Sequence, residues 1–96
     1  MSVFVVAQLR FTNMEKYRLY QSLFANVFKK HAGKLLVADE KPKVLDGDWD
    51  IDKLIIMSFP DDKRARLFLD DPEYFEISKH RKAGSYSRAL LVQGLD

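Results

Sequence analysis

The chain contains no cysteine. That absence removes disulfides, thiolate metal sites and a cysteine nucleophile, and it is compatible with a reducing cytoplasm. Histidine is nearly as scarce. His31 and His80 are the only two, with no close histidine or carboxylate repeat around them, so no structural zinc is expected. Charge of a single sign is also missing: 16 Lys and Arg stand against 14 Asp and Glu, a net charge of +2. That balance does not by itself imply a polyanionic partner. Long hydrophobic runs are absent too. The opening Met1–Ala7 stretch has no basic leader and its apolar run stops at Ala7, so neither a signal peptide nor a membrane span is expected. The expectation is a cytoplasmic protein with no membrane partner and no cofactor.

What is present is the composition of a globular protein, 47% hydrophobic and 31% charged over 96 residues. That length suits one domain, residues 1–96, with one modest core. Its organising stretch is Leu54–Phe59, large and apolar except for Ser58, and closed by Pro60. A strand with one wet face alternates apolar and polar residues; this run does not, which predicts a central strand covered on both sides. Val3–Arg10 begins the same way and predicts a second such strand.

Thr12 and Asn13 are good helix caps, and Tyr17, Tyr20, Phe24, Val27, Phe28 and His31 follow at offsets of three and four. They predict a helix of about five turns, with Lys29, Lys30 and His31 in its last turn and Gly33 as the terminating residue. Lys34–Ala38 reads as a short strand, Asp39–Lys43 as a turn, and Val44 and Leu45 as the return path. Asp61 caps a helix carrying Ala65, Phe68 and Leu69; Asp71 and Pro72 restart it, and Gly84 ends it. Tyr86–Leu95 is the last strand, with Tyr86, Arg88, Leu90 and Val92 on one side and Ala89 and Leu91 on the other.

The order β-α-β-β-α-β predicts an α+β, ferredoxin-like fold with an antiparallel sheet. Two helical layers' worth of chain is not available, so one sheet face stays uncovered, and its apolar side chains make an improbable surface for a monomer. A second copy packed sheet against sheet is the simplest cover, and a two-fold dimer is the commonest homo-oligomer.

Five segments carry a resemblance to a known family: Gly33–Val37 (GKLLV), Val44–Trp49 (VLDGDW), Leu54–Pro60 (LIIMSFP), Asp71–Tyr74 (DPEY) and Leu90–Gly94 (LLVQG). In this order and near this spacing they resemble the bacterial domain-of-unknown-function 1330 group of the dimeric α/β-barrel superfamily. Two departures are mild: Lys34 stands where arginine is more usual, and Asp39–Lys41 lacks the glycines often found in that turn. The resemblance implies a homodimeric α/β barrel with a cavity between sheet and helices. It implies no activity, although related barrels include cofactor-independent monooxygenases, small-lactone isomerases and haem-handling enzymes.

Candidate ligand-binding residues are His31, Trp49, Tyr74, His80 and Arg81; no catalytic residue and no metal ligand is assigned. Tyr74 and Arg81 share a helix face at i, i+7, and with His80 they form equipment for a small carboxylate: guanidinium as clamp, phenol as donor, imidazole as acid or base. The plainer reading is a basic helix end serving its own dipole. Trp49, in an acidic loop, either walls a pocket or plugs an interface, and the common use of tryptophan as an interface anchor favours the plug. His31 on an apolar helix face is ordinarily a packed, hydrogen-bonded residue. Asp46, Asp48, Asp50 and Asp52 alternate like a calcium loop, but Ile51 and Met57 occupy the positions that need glycine and glutamate. Leu54–Phe59 has neither glycine nor a basic residue, unlike the strand signature of RNA-recognition domains, so no nucleic-acid partner is expected.

The sequence thus supports a small homodimer whose cavity accepts a small organic molecule, a carboxylate among the options. The competing readings are a cofactor-independent monooxygenase or isomerase, and a purely structural or protein-interaction module.

Overall fold

The computed structural model describes residues Met1–Asp96. Its elements are β1 (Val3–Phe11), α1 (Met14–Phe28), β2 (Lys34–Asp39), β3 (Lys53–Phe59), α2 (Asp62–Leu69), α3 (Pro72–Gly84) and β4 (Ser85–Gln93). The strands form one antiparallel sheet in the order β2-β3-β1-β4. This is the ferredoxin-like α+β arrangement. The two strands with unbroken apolar runs, β1 and β3, take the two central positions, where neighbours satisfy both backbone edges.

All three helices lie on one side of the sheet, and the chain measures only 15 Å along its shortest principal axis. Odd-numbered residues of β1, β3 and β4 face the helices. Val3, Leu9 and Phe59 there are almost fully buried, with Tyr17 of α1 and Phe68 of α2 closing the core over them. Even-numbered residues point away: Phe4, Val6, Leu54, Ile56, Leu90 and Val92 stand on a face that no element of the chain covers. In β2 the pairing jumps between Leu35 and Val37, a bulge at Leu36 that the apolar pattern does not reveal.

The caps at the starts of the helices match the sequence. Asn13 Oδ1 accepts the Lys16 N–H at 3.1 Å, Asp61 Oδ1 accepts the Arg64 N–H at 2.9 Å, and Asp71 Oδ1 accepts the Glu73 N–H at 2.8 Å. The ends differ from expectation. α1 stops at Phe28 after 15 residues, because the N–H groups of Lys30 and His31 turn back three residues to Val27 and Phe28. His31 therefore sits in the following turn instead of on the helix face. Gly33 does not supply a left-handed terminator, since only Gly47 has positive φ, at 78°. It is required by contact: a Cβ there would lie 2.6 Å from the Phe59 ring and 2.7 Å from that of Phe28. Gly84, the last residue of α3, is held by a similar contact, since a Cβ there would lie 2.5 Å from the Tyr17 backbone nitrogen, and its carbonyl accepts the Thr12 and Asn13 N–H groups at 3.0 Å each. Val44 and Leu45 do not extend a strand; they belong to the loop 40–52, where Leu45 is fully exposed.

Candidate functional site

Between the sheet and the helices lies a cavity of about 330 Å³. All four strands form its floor, α1 supplies Tyr17, Tyr20 and Phe24 to its roof, and Tyr74 and Arg81 of α3 close it. Of its 18 lining residues, 14 are hydrophobic; Lys53 and Arg81 are charged, and none is acidic. An apolar chamber with two cations and no carboxylate is electrostatically suited to an anion.

Arg81 is the most informative residue in it. Nη1 donates to Ser87 Oγ on β4, and the guanidinium carbon lies 5.9 Å from the centre of the Tyr20 ring. Its Nε is buried with no hydrogen-bond partner. No carboxylate pairs with it. Glu73 is engaged by Lys30 at 2.6 Å and Asp61 by Arg64 at 2.5 Å, so neither partners Arg81, a half-buried residue whose Nε is its buried polar atom. Beside Arg81 the hydroxyls of Tyr20 and Tyr74 are hydrogen-bonded at 3.0 Å. Burial raises the Tyr20 phenol well above its ordinary pKa, and the neighbouring Tyr74 adds to the effect, so Tyr20 stays a protonated donor.

Lys53 opens β3 and is 3% exposed, which for a lysine demands a partner. Its ammonium lies 4.9 Å from the centre of the Tyr17 ring and donates to Glu40 Oε2 at 3.2 Å. Glu40 is held chiefly by Arg18 of α1, through bonds of 2.5 and 2.7 Å. The Arg18 hydrogen bonds, then Lys53, lower the Glu40 carboxyl to a pKa of about 2. This triad ties the start of the loop 40–52 to α1.

The other candidates from the sequence lie elsewhere. His31 Nε2 meets Asp71 Oδ2 at 2.7 Å, with its ring edge-on to Phe68, so it buttresses the α3 cap and does not line the cavity. Asp71 also receives Lys30 at 3.3 Å; the His31 hydrogen bond, then the Glu73 N–H, lower its carboxyl to a pKa of about 2. His80 is half-buried, makes no side-chain hydrogen bond and does not line this cavity. Trp49 is on the opposite side of the sheet, where its Nε1 donates to Gln8 Oε1 at 2.8 Å. Of the sequence's candidates only Tyr74 and Arg81 come together. Tyr20, Lys53 and Ser87 complete the polar wall; Tyr20 was visible only as an apolar-face residue, and nothing in the local pattern marks the other two.

A family model described as a domain of unknown function, DUF1330, matches residues 2–95. The chain belongs to this family. The DUF1330 chain is similar in structure to RPA0582, a protein of unknown function from Rhodopseudomonas palustris, with a TM-score of 0.83 and 24% identity over 99% of this chain and 83% of that one. It is also similar to SnoaB, a cofactor-independent oxygenase from Streptomyces nogalater, with a TM-score of 0.69 and 14% identity over 99% of this chain and 94% of that one. A NIPSNAP domain protein from Burkholderia xenovorans gives 0.63 and 12% over 98% and 94%. At these identities the likeness establishes the shared fold. No curated protein matches the sequence. No helix of this DUF1330 protein is long and apolar enough to cross a membrane.

Proposed function

We propose that this DUF1330 protein binds a small organic carboxylate in the cavity, with Arg81 as the anion clamp. The observation that carries this reading is the buried, unpartnered Nε of Arg81 in a chamber without any acidic residue. A ligand carboxylate would satisfy Nε and a terminal nitrogen together, the geometry that guanidinium favours, while Tyr20 and Tyr74 offer further hydroxyl hydrogen bonds. Thermal unfolding with a panel of aliphatic and aromatic carboxylates tests it. At a hundredfold excess over Kd, binding adds about 2.7 kcal/mol, a rise in midpoint of roughly 10–20 °C for a domain of this size. Arg81→Gln should leave the ligand-free midpoint nearly unchanged and remove the rise. A midpoint that falls steeply in the variant and never responds to carboxylates in the wild type would make Arg81 structural.

A second reading is a cofactor-independent oxygenase or isomerase acting in the same cavity. Its support is the likeness to SnoaB together with the Tyr20–Tyr74–Arg81 wall, whose donors and positive charge suit a substrate held as an enolate or phenolate. Oxygen uptake with an enolisable or phenolic acid that raises the midpoint would establish it; binding without turnover would leave the first reading alone.

The functional unit in this proposal is a homodimer joined through the uncovered sheet face. Leu90 at 66% exposure, with Val44, Leu45 and Trp49 exposed in the adjoining loop, gives that face more apolar surface than a free monomer readily carries. Zero cysteines suit a cytoplasmic setting.

A further inference from the structure

Strand register orders the cavity floor into three transverse rows. Leu9 pairs with Lys53 on one side and Ser87 on the other, which makes a polar row. Val5 pairs with Met57 and Leu91, and Met57 with Leu35, which makes a row of large apolar groups. Between them Ala7 pairs with Ile55 and Ala89, and Ile55 with Ala38. Three of the four residues in this middle row are alanine, and all line the cavity. Alanine at three of the four positions lowers the floor on both sides of Ile55, and with Met57, Val5 and Leu91 rising on one flank the row forms a shallow trench across the strands. Its β2 end is open: Ala38, Leu35, Gln21 and Ala25 line it and remain exposed. Arg81 and Ser87 stand at its β4 half.

We infer that the ligand lies in this trench as an elongated amphiphilic monoanion, its carboxylate at Arg81 and its unbranched or flat apolar body crossing Ala7 and Ile55 toward the β2 edge. Ala7 is then the residue that decides which bodies fit. From β4 to β2 there are three strand spacings, about 14 Å, so the trench is longer than the shortest acids and rewards extension. The proposal rests on the anion-binding reading and adds direction, length and a specificity residue to it.

The test is an n-alkanoate series, from butanoate to dodecanoate, measured by chemical-shift titration on the wild type, Ala7→Val, Ala38→Leu and Arg81→Gln. Wild-type affinity should rise roughly three- to fourfold per methylene and then level off once the chain passes Ala38, because the open edge lets the surplus protrude. Ala7→Val should lose the gain with length that the wild type shows. Ala38→Leu, at an exposed position that tolerates a larger side chain, should follow wild type for short chains and flatten earlier; it serves if Ala7→Val fails to fold. Arg81-dependent binding with no length dependence, or a wild-type slope in both alanine variants, overturns the trench while leaving the carboxylate clamp intact. Absence of binding by any member of the series overturns both.

Discussion

Replacing Gly84 by alanine puts two effects in opposition, and the structure decides between them. In an exposed helix the substitution stabilises by up to about 1 kcal/mol, because alanine loses less backbone entropy. Gly84 has no positive φ that would penalise a side chain. By conformational reasoning alone the variant should be the more stable protein. The contacts say otherwise: a Cβ on Gly84 would lie 2.5 Å from the Tyr17 backbone nitrogen and 2.7 Å from the Asn13 carbonyl oxygen. Overpacking that side chains can relieve costs about 1–3 kcal/mol. Here the obstacle is the backbone at the first turn of α1, pinned by the two hydrogen bonds that Gly84 itself accepts, so the cost should reach at least about 3 kcal/mol. With about 4–8 °C per kcal/mol in a domain of this length, the unfolding midpoint should fall by roughly 12–24 °C. Calorimetry, or circular dichroism at 222 nm, reads this directly. An unchanged or raised midpoint would refute the close-packing argument, and with it the view that this junction fixes α3, and Arg81 three residues upstream, relative to α1.

Two further outcomes follow. Asp71 and Glu40 both have folded pKa values of about 2, below their ordinary values, so each contributes stability that is present above pH ~4 and lost as pH falls toward 2; Asp71→Asn, which keeps a capping oxygen, should show a flatter fall in midpoint over that window, and curves parallel to wild type would remove the His31–Asp71 contact from the account. On the uncovered face, Ile56→Asp should convert a dimer to monomer in light scattering while the far-ultraviolet spectrum persists, whereas Val5→Asp, on the helix side, should unfold the chain; a wild-type monomer at micromolar concentration would sink the sheet-to-sheet pairing.

The sequence made the fold legible wherever local chemistry and burial agree. Asn13, Asp61 and Asp71 cap helices because their side-chain oxygens meet free N–H groups within three residues, a purely local matter. Although within the chain only their odd-numbered faces are covered, the unbroken runs of β1 and β3 do mark the two central strands. That same property hid which face was which: Val5 and Val6 look alike in sequence, and only the position of the helices separates them. His31 continues the three-and-four spacing of α1, yet the helix has already tightened and ended at Phe28, where the Lys30 and His31 N–H groups bond three residues back. Lys53 reads as the charged boundary of a strand. It becomes a cavity residue only through the register that sets it across Leu9 from Ser87, information that spans 78 residues of chain from Leu9 to Ser87. Tyr74 and Arg81 were accessible because one helix face carries both.

Strand parity gives the two faces of the sheet separate tasks. Three of the four helix-facing residues in the central row are small, Ala7, Ala89 and Ala38, with Ile55 between Ala7 and Ala38, and the space the alanines leave is part of the cavity. The even positions around them are Phe4, Val6, Leu54, Ile56 and Leu90, large groups with no such gap, which suits a flat surface to be covered and not a pocket to be filled. Under the proposed dimer, neighbouring residues on one strand answer to different pressures, cavity volume at Ala7 and contact area at Val6. A substitution that enlarges Ala7 should alter binding and spare assembly, while a polar group at Val6 should alter assembly before it reaches the cavity. Gln8 stands apart on the outer face: its amide is taken by Trp49, which anchors the acidic loop beside the uncovered surface. The loop begins, however, at Glu40, whose carboxylate is shared between Arg18 and the cavity lysine. One segment is therefore fastened at two points, to the outer face through Trp49 and to the cavity lysine through Glu40.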